Sequence, residues 1–493
     1  MTLARSFPIA CLIAFVACSS STPPQAAPAD GGADGGADPL GPSNACVDPL
    51  ETIYGDPGAL APDASLRGNI QKCFRDQDLS RDTLQAELDR LGYKGKPLTS
   101  GARVYRVTYR TERGDARSTP AVSSSLVLVP DAPRAAAASL PVVVASRGSR
   151  GQAAACAASK RDAAADDVNP DLLSQIYPLV GAGFAVIVPD LPGYANYGAP
   201  NNPPSAYAQA ADVGHATLDA ARALKKLLPA LDDKVVLVGH SQGGHTALAA
   251  LALAETYGFT SPIVGVAVYA PLWVSQRTWG ASLYRPVAKQ FGIELANSAA
   301  GAVGLWYHYT QAELLDGPGE GKKLFAAGKQ DAIKKFVDEQ CWAAKYPQLE
   351  ALGTYPDELY DPEFVSQVGF SSVGSNPCDP GSVCEKWLTR YSADRPRLTG
   401  KALTTPLLVL YGGKDTTLAP GRMRCALDRL AEDKSKLTVC VDTEQTHGGI
   451  VRERASYVSD WIASVTLGAP APAACASDAA AITPTCETPP PND

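Results

Sequence analysis

Past residue 17 the 493-residue chain has no apolar run long enough to cross a bilayer as a helix, which takes about 20 residues, so no integral membrane body is expected. Cations are not in excess: 44 Lys and Arg stand against 51 Asp and Glu, a formal net charge of -7. That balance excludes nucleic acid and anionic membrane surfaces as electrostatic partners. There is no C-x-x-C and no Cys/His pair at ligand spacing, so neither a metal site nor a cofactor is expected. No repeat of propeller period is visible. Histidine is scarce, with residues only at 215, 240, 245, 308 and 447, which leaves few candidates for imidazole chemistry. What the chain does have is 45% hydrophobic residues, enough for a large core. Its length suits a single decorated α/β unit.

Residues 234–250 read KVVLVGHSQGGHTALAA, a β-branched apolar run, then Gly239-His240-Ser241-Gln242-Gly243, then a helical Ala/Leu pattern. G-x-S-x-G between a buried strand and a helix is the setting of a nucleophile elbow, a turn so tight that the serine backbone is strained. Flanking Gly239 and Gly243 remove the Cβ atoms that would collide there. Ser241 is the candidate nucleophile. The Gln242 backbone N–H, at the positive end of the following helix, can face a developing oxyanion.

Around this elbow the chain alternates strand and helix signals, which specify a mostly parallel sheet flanked by helices with right-handed crossovers. Leu140–Ala145, Phe184–Pro189 and Ile263–Tyr269 are apolar strands, and Ala206–Leu228 has helical periodicity. Ser80–Leu91 is a short amphipathic helix with a serine N-cap. Arg103–Thr111 and Ala121–Val129 alternate around Gly114-Asp115 as a hairpin. The next strand, Ala402–Tyr411, comes about 130 residues after Ile263–Tyr269, and a gap that long must hold structure of its own. It contains Trp273, Trp279, Trp306, Tyr307, Trp342 and Tyr346, most of them expected to form a private core, and residues 322–344 are expected to be helical.

A serine nucleophile needs an imidazole to take its proton and a carboxylate to orient that imidazole. His447 alone among the histidines follows a terminal strand, Leu437–Val441, in a glycine-flanked loop. Asp415 lies just past the strand ending at Tyr411, whereas its competitors Asp442 and Glu444 share the strand end of His447. Asp415 has the better loop position.

The organisation that follows is residues 1–18 as a signal peptide, 19–45 as a Pro/Ala/Gly-rich linker, and 46–271 as the first part of the core. Residues 272–403 are an inserted cap, 404–467 the second part of the core, and 468–493 a Pro/Ala-rich tail. The signal carries Arg5 and an apolar stretch from Phe7 to Ala17. Phe15-Val16-Ala17-Cys18 resembles a bacterial lipoprotein site, which makes Cys18 a candidate for lipidation and membrane attachment. Export makes the ten remaining cysteines disulfide candidates. Chain neighbours suggest Cys46 with Cys73, Cys378 with Cys384, Cys425 with Cys440 and Cys475 with Cys486, leaving Cys156 with Cys341.

These stretches together resemble the α/β-hydrolase superfamily, and within it the exported bacterial and fungal lipase/esterase group. The residues that carry the resemblance are Leu140–Gly151, GFAVIVPDLPGY from Gly183, VVLVGHSQGGHTAL from Val235, VYAPLW from Val268, LLVLYGGKDTTLAPG from Leu407 and Thr446-His447-Gly448, within residues 100–467. It implies an α/β-hydrolase fold with a large inserted cap, the chain order Ser241, Asp415, His447, and hydrolysis of small-molecule or lipid carboxylic esters through an acyl-enzyme. The second oxyanion donor would come from the loop after Leu140–Ala145, at Arg147 and Gly148, where relatives usually have His-Gly. Arg147 could instead meet an acidic group of substrate or cap. The same fold hosts peptidases, polyester depolymerases and catalytically dead binding modules, and the sequence does not fix the oligomeric state.

Overall fold

Runs of β-branched residues become the centre of the sheet because their side chains pack well on a pleated surface buried on both faces. Every residue of β4 (Val142–Ser146), β5 (Val186–Pro189) and β6 (Val235–His240) is buried. The computed structural model describes residues 38–165, 168–195, 202–275, 279–374 and 377–475. Its nine-stranded sheet also contains β1 (Ile70–Leu79), β2 (Ala102–Glu112), β3 (Pro120–Pro130), β7 (Ile263–Tyr269), β8 (Leu407–Gly412) and β9 (Leu437–Asp442), in the order β1-β2-β3-β5-β4-β6-β7-β8-β9. From β5 to β9 all pairings are parallel, while β1 to β3 form an antiparallel edge that joins β5. This is the expected doubly covered α/β sheet, with β6 in the interior carrying the G-x-S-x-G turn.

The expected hairpin pairs Glu112 with Pro120, and the helix α1 (Arg81–Leu91) is capped by Ser80 and ended by Gly92 at φ 84°. Helices α2 (Asp171–Gly181), α3 (Ala210–Leu227) and α4 (Gln242–Leu253) are the crossovers. Two expectations are corrected by local chemistry. Residues 322–344 are not one helix: a turn over Glu320–Lys323 and a helix over Gln330–Glu339 are separated by Gly328 at φ 83°. The chain beyond is drawn out straight where Cys341 bridges Gly151. β8 begins only at Leu407, because the preceding Gly400–Thr404 segment is a 3-10 turn.

Between β7 and β8 the chain builds a helical insertion with its own apolar core, including Trp306, Tyr307, Tyr346, Trp387 and Tyr391. The insertion is fastened to the helices that flank the elbow. Asp394, the last residue of the helix over Val383–Asp394, accepts hydrogen bonds from the Ala210 N–H at the start of α3 (2.8 Å), from Tyr307 Oη (2.7 Å) and from Gln311 Nε2 (2.6 Å). Its carbonyl pairs with His245 Nε2 of α4 at 2.8 Å. A second fastening is the Cys156–Cys341 disulfide, which joins the loop after β4 to the insertion.

Cys46–Cys73, Cys378–Cys384 and Cys156–Cys341 pair as expected. The other two expected pairs are wrong: Cys440 on β9 pairs with Cys475, not Cys425, and so Cys475 does not pair with Cys486. Cys425 is also disulfide-bonded. Cys18, Cys486 and the signal segment lie outside the described residues. Neighbours in sequence mislead here because the segment after the closing helix (Gly449–Leu467) returns to the sheet edge, bringing Cys475 within 5.6 Å (Cα to Cα) of Cys440. Digestion of the unreduced protein should therefore yield a linked peptide pair containing Cys440 and Cys475; a Cys425–Cys440 pair would overturn the pairing.

Burial pushes the Asp394 carboxyl up to about 7, against the pull of its Tyr307, Ala210 and Gln311 hydrogen bonds and the Arg390 charge. The folded protein therefore holds this proton more tightly than the unfolded chain. The resulting stability is complete below about pH 4, near the ordinary carboxylate value, and is lost as pH rises through 7. Asp394→Asn keeps the neutral form, so wild type should lose Tm relative to this variant between pH 5 and pH 8. Thermal unfolding across that range reads the difference, and parallel curves would count against the buried proton.

Candidate active site

The elbow is strained and held. Ser241 sits at φ 55°, ψ -120°, a conformation that L-residues keep only where neighbours over-determine it. Its N–H donates to Tyr269 O at 2.9 Å, and its carbonyl accepts from Gly244 and Leu272 N–H, each at 2.9 Å. The glycines are demanded by contact. A Cβ at Gly239 would lie 2.0 Å from Gly243 O, one at Gly243 2.0 Å from Ser146 O, and one at Gly244 2.7 Å from Pro271. α4 thus begins pressed against the end of β4. The Ser241 side chain contributes no capping hydrogen bond to that helix, and the Gln242 and Gly243 amides, at its first two positions, have no partner within the helix.

Asp415 and His447 arrive from the ends of β8 and β9. Gly412 lets this happen, since a Cβ there would lie 2.1 Å from Gln445 O. Asp415 is buried; its Oδ1 accepts from the Thr417 and Leu418 N–H groups at 2.8 Å each, and its Oδ2 accepts from His447 Nδ1 at 2.7 Å. The imidazole is thereby oriented with Nε2 left without a partner among the described residues. The competing acids are engaged elsewhere: Asp442 pairs with Arg454 at 3.1 Å and Glu444 with Lys414. Among the described residues nothing hydrogen-bonds Ser241 Oγ, a contact that hydrolases without substrate often leave open.

His240, the residue before Ser241 in the elbow, is buried and its Nε2 pairs with the His447 carbonyl at 3.1 Å, with the two rings 4.6 Å apart. Burial first, and the neighbouring His447 second, push its pKa down to about 4; it stays neutral and donates that hydrogen bond. Its place beside Ser241 in the motif was the available signal. Arg147 meets no acid of the insertion among the described residues. Its guanidinium is buried, donating to Asp190 O (2.8 Å), Gly148 O (3.2 Å) and Gln242 Oε1 (3.3 Å), and it stacks over the Tyr194 ring. It ties together the loops after β4 and β5 and the start of α4.

Ser241 opens into a cavity partly continuous with solvent, whose walls include Ser149, Tyr207, Trp273, Trp279 and Trp342. Trp279 and Trp342 are insertion residues, so part of the aromatic content expected in a private core faces this cavity. Arg147 and Gly148 are not among the walls; Ser149, the next residue, is. Among the described residues no cluster of His, Cys, Asp or Glu could hold a metal ion, and no helix is long and apolar enough to cross a membrane.

With this geometry in view, the comparisons define the class. A family model described as the alpha/beta hydrolase family matches residues 170–442, more than half of the chain, and the chain belongs to that family. Among solved structures it is similar to Candida antarctica lipase A in its closed state, with 16% identity, TM-score 0.60 and coverage of 88% of this chain and 90% of that one. It is also similar to the rice cell wall degrading esterase LipA from Xanthomonas oryzae, with 18% identity, TM-score 0.57 and coverage of 81% and 97%. No curated protein sequence matches the chain.

The glycine contacts make a contrast testable. Gly243→Ala puts a Cβ into the Ser146 carbonyl and should destabilise by at least about 1–3 kcal/mol and abolish labelling of Ser241 by a fluorophosphonate. Gly148→Ala meets nothing closer than Asn169 Nδ2 at 3.3 Å and should label and melt nearly as wild type does.

Proposed function

We propose that the protein is an exported carboxylic ester hydrolase of the lipase/esterase type, acting through Ser241, His447 and Asp415. The observation that carries this reading is the 2.7 Å His447 Nδ1–Asp415 Oδ2 bond placed beside a strained serine that opens into an apolar cavity. In the proposed reaction Ser241 Oγ forms a bond to the ester carbonyl carbon while His447 Nε2 takes its proton. The tetrahedral oxyanion is held by the Gln242 N–H and an amide of the Arg147–Ser149 loop. Collapse breaks the bond to the alkoxy oxygen, which leaves as alcohol with the proton from His447. Water, deprotonated by His447, then attacks the acyl carbon; the bond to Ser241 breaks, Ser241 regains its proton and the acid departs.

Supporting an ester substrate is the likeness to two structural neighbours, one a lipase and one an esterase. Residues 272–403 act in this reading as a cap, since Trp279, Trp342 and Ala299 from that stretch wall the cavity. Export is supported by the four disulfides formed between described residues, and Cys18 is the proposed lipid anchor.

The mature protein should hydrolyse p-nitrophenyl esters, and a graded chain-length series will place it between esterase and lipase. Ser241→Ala should lower kcat by about 10,000-fold or more, and Asp415→Asn by about 1,000- to 10,000-fold, without loss of fold. A folded wild type inactive on the whole series, or a Ser241→Ala variant of undiminished activity, would refute the reading.

A further inference from the structure

Ser149 and Tyr207 are buried together in the wall of the cavity that Ser241 faces, only 4% and 1% exposed. Their hydroxyl oxygens are 2.6 Å apart. Each hydroxyl has one proton to donate, so the pair holds two, and the bond between them uses one. Among the described residues neither oxygen has another partner. A buried O–H with no acceptor is unfavourable, unless a ligand supplies one.

Which proton is left over follows from the chemistry. A phenol is the stronger acid and so the better donor, and desolvation keeps the Tyr207 hydroxyl protonated. Tyr207 therefore donates to Ser149 Oγ, and the Ser149 proton is free. The phenol is fixed from behind. The Tyr207 N–H donates to Thr310 Oγ1 of the insertion at 2.9 Å, and the Ala206 N–H to Asp212 Oδ2 at 3.2 Å. Asp212 is in turn locked by Arg113 in an ion pair of 2.8 Å with both side chains buried. The Trp279 and Trp306 rings pack 6.3 and 6.2 Å from the Tyr207 ring, between centroids. Ser149 is fixed from its own side, its carbonyl accepting from Asn169 Nδ2 at 3.2 Å.

We propose that the Ser149 hydroxyl, polarised by Tyr207, donates a side-chain hydrogen bond to the tetrahedral oxyanion formed at Ser241. This rests on the ester hydrolase reading. Ser149 belongs to the loop proposed to present the second main-chain donor, and it is the member of Arg147–Ser149 that lines the cavity into which Ser241 opens. A Tyr-to-Ser-to-oxyanion chain strengthens as charge develops on its last member, and it is already in place before substrate arrives. In this scheme Ser149 is a catalytic residue and Tyr207 a positioning residue.

The test compares wild type with Ser149→Ala, Ser149→Thr and Tyr207→Phe. It reads kcat and KM on a p-nitrophenyl ester, the affinity for phenylboronic acid, which forms a tetrahedral adduct on Ser241, and Tm. Ser149→Ala should lower kcat about 10- to 100-fold with KM nearly unchanged, and should weaken boronate binding by a similar factor. Ser149→Thr should restore most of both. Tyr207→Phe should lower both by about 3- to 10-fold. A merely structural pair would lower Tm in the Ala and Phe variants and leave kcat and boronate affinity at wild-type values, which overturns the proposal alone. A wild type that forms no boronate adduct overturns it together with the hydrolase reading.

Discussion

The pressing of α4's first turn against the end of β4 is the constraint on which the site depends. A helix that starts this close to a strand leaves no room for Cβ atoms at Gly239, Gly243 and Gly244, and it forces Ser241 to positive φ. The strain is tolerable because the Ser241 peptide groups are tied to Tyr269, Gly244 and Leu272 and the strands beneath are fully buried. Moving the helix back by the width of a methyl group would relax the turn. The buried Arg147 guanidinium fits the same constraint: it bonds Gln242 on one side of the contact and the Gly148 and Asp190 carbonyls on the other.

The insertion is anchored where it adjoins this contact. Asp394 reaches the first amide of α3 and, through its carbonyl, His245 one turn into α4. On the opposite flank Gly151 passes so close to the insertion that a Cβ would meet Gln340 O at 2.3 Å, and the Trp342 N–H donates to Arg150 O at 2.8 Å. The Cys156–Cys341 disulfide closes that seam. Trp342 is therefore placed by the same loop that carries Ser149, so the cavity wall and the candidate oxyanion loop keep one geometry.

Much of this was legible because the physics is local. A run such as VVLVGH reads as a buried strand, and paired glycines around a serine read as a turn without room for side chains. Asp415 and His447 were found because strand ends are where loops converge over a parallel sheet. What could not be read depended on distant parts of the chain. β1 was missed because IQKCFRDQDL forms an edge strand in which only Cys73 and Leu79 are buried, so it has no apolar alternation. The Cys440–Cys475 pair depends on the path of the chain after the closing helix. Arg147 reads as a solvated loop cation until the β5 loop folds over it, and the Tyr207 contact with Ser149 joins residues 58 positions apart.

Histidine scarcity narrows the chemistry further than motif order does. A general base must accept a proton near neutral pH, and burial opposes this for four of the five imidazoles. It pushes His240 and His245 down to about 4 and His308 to about 3, and it lowers His215. His308 is enclosed by the hydroxyls of Tyr360 and Tyr391 deep in the insertion, and His245 is spent on the Asp394 carbonyl. His447 alone has a carboxylate on Nδ1 to balance an incoming charge, and its side chain is 14% exposed at the elbow. Neutral His240 beneath it adds a hydrogen bond to its carbonyl and no competing positive charge. In the proposed reaction the acid–base role thus falls to one imidazole, the others being disfavoured as proton acceptors by desolvation.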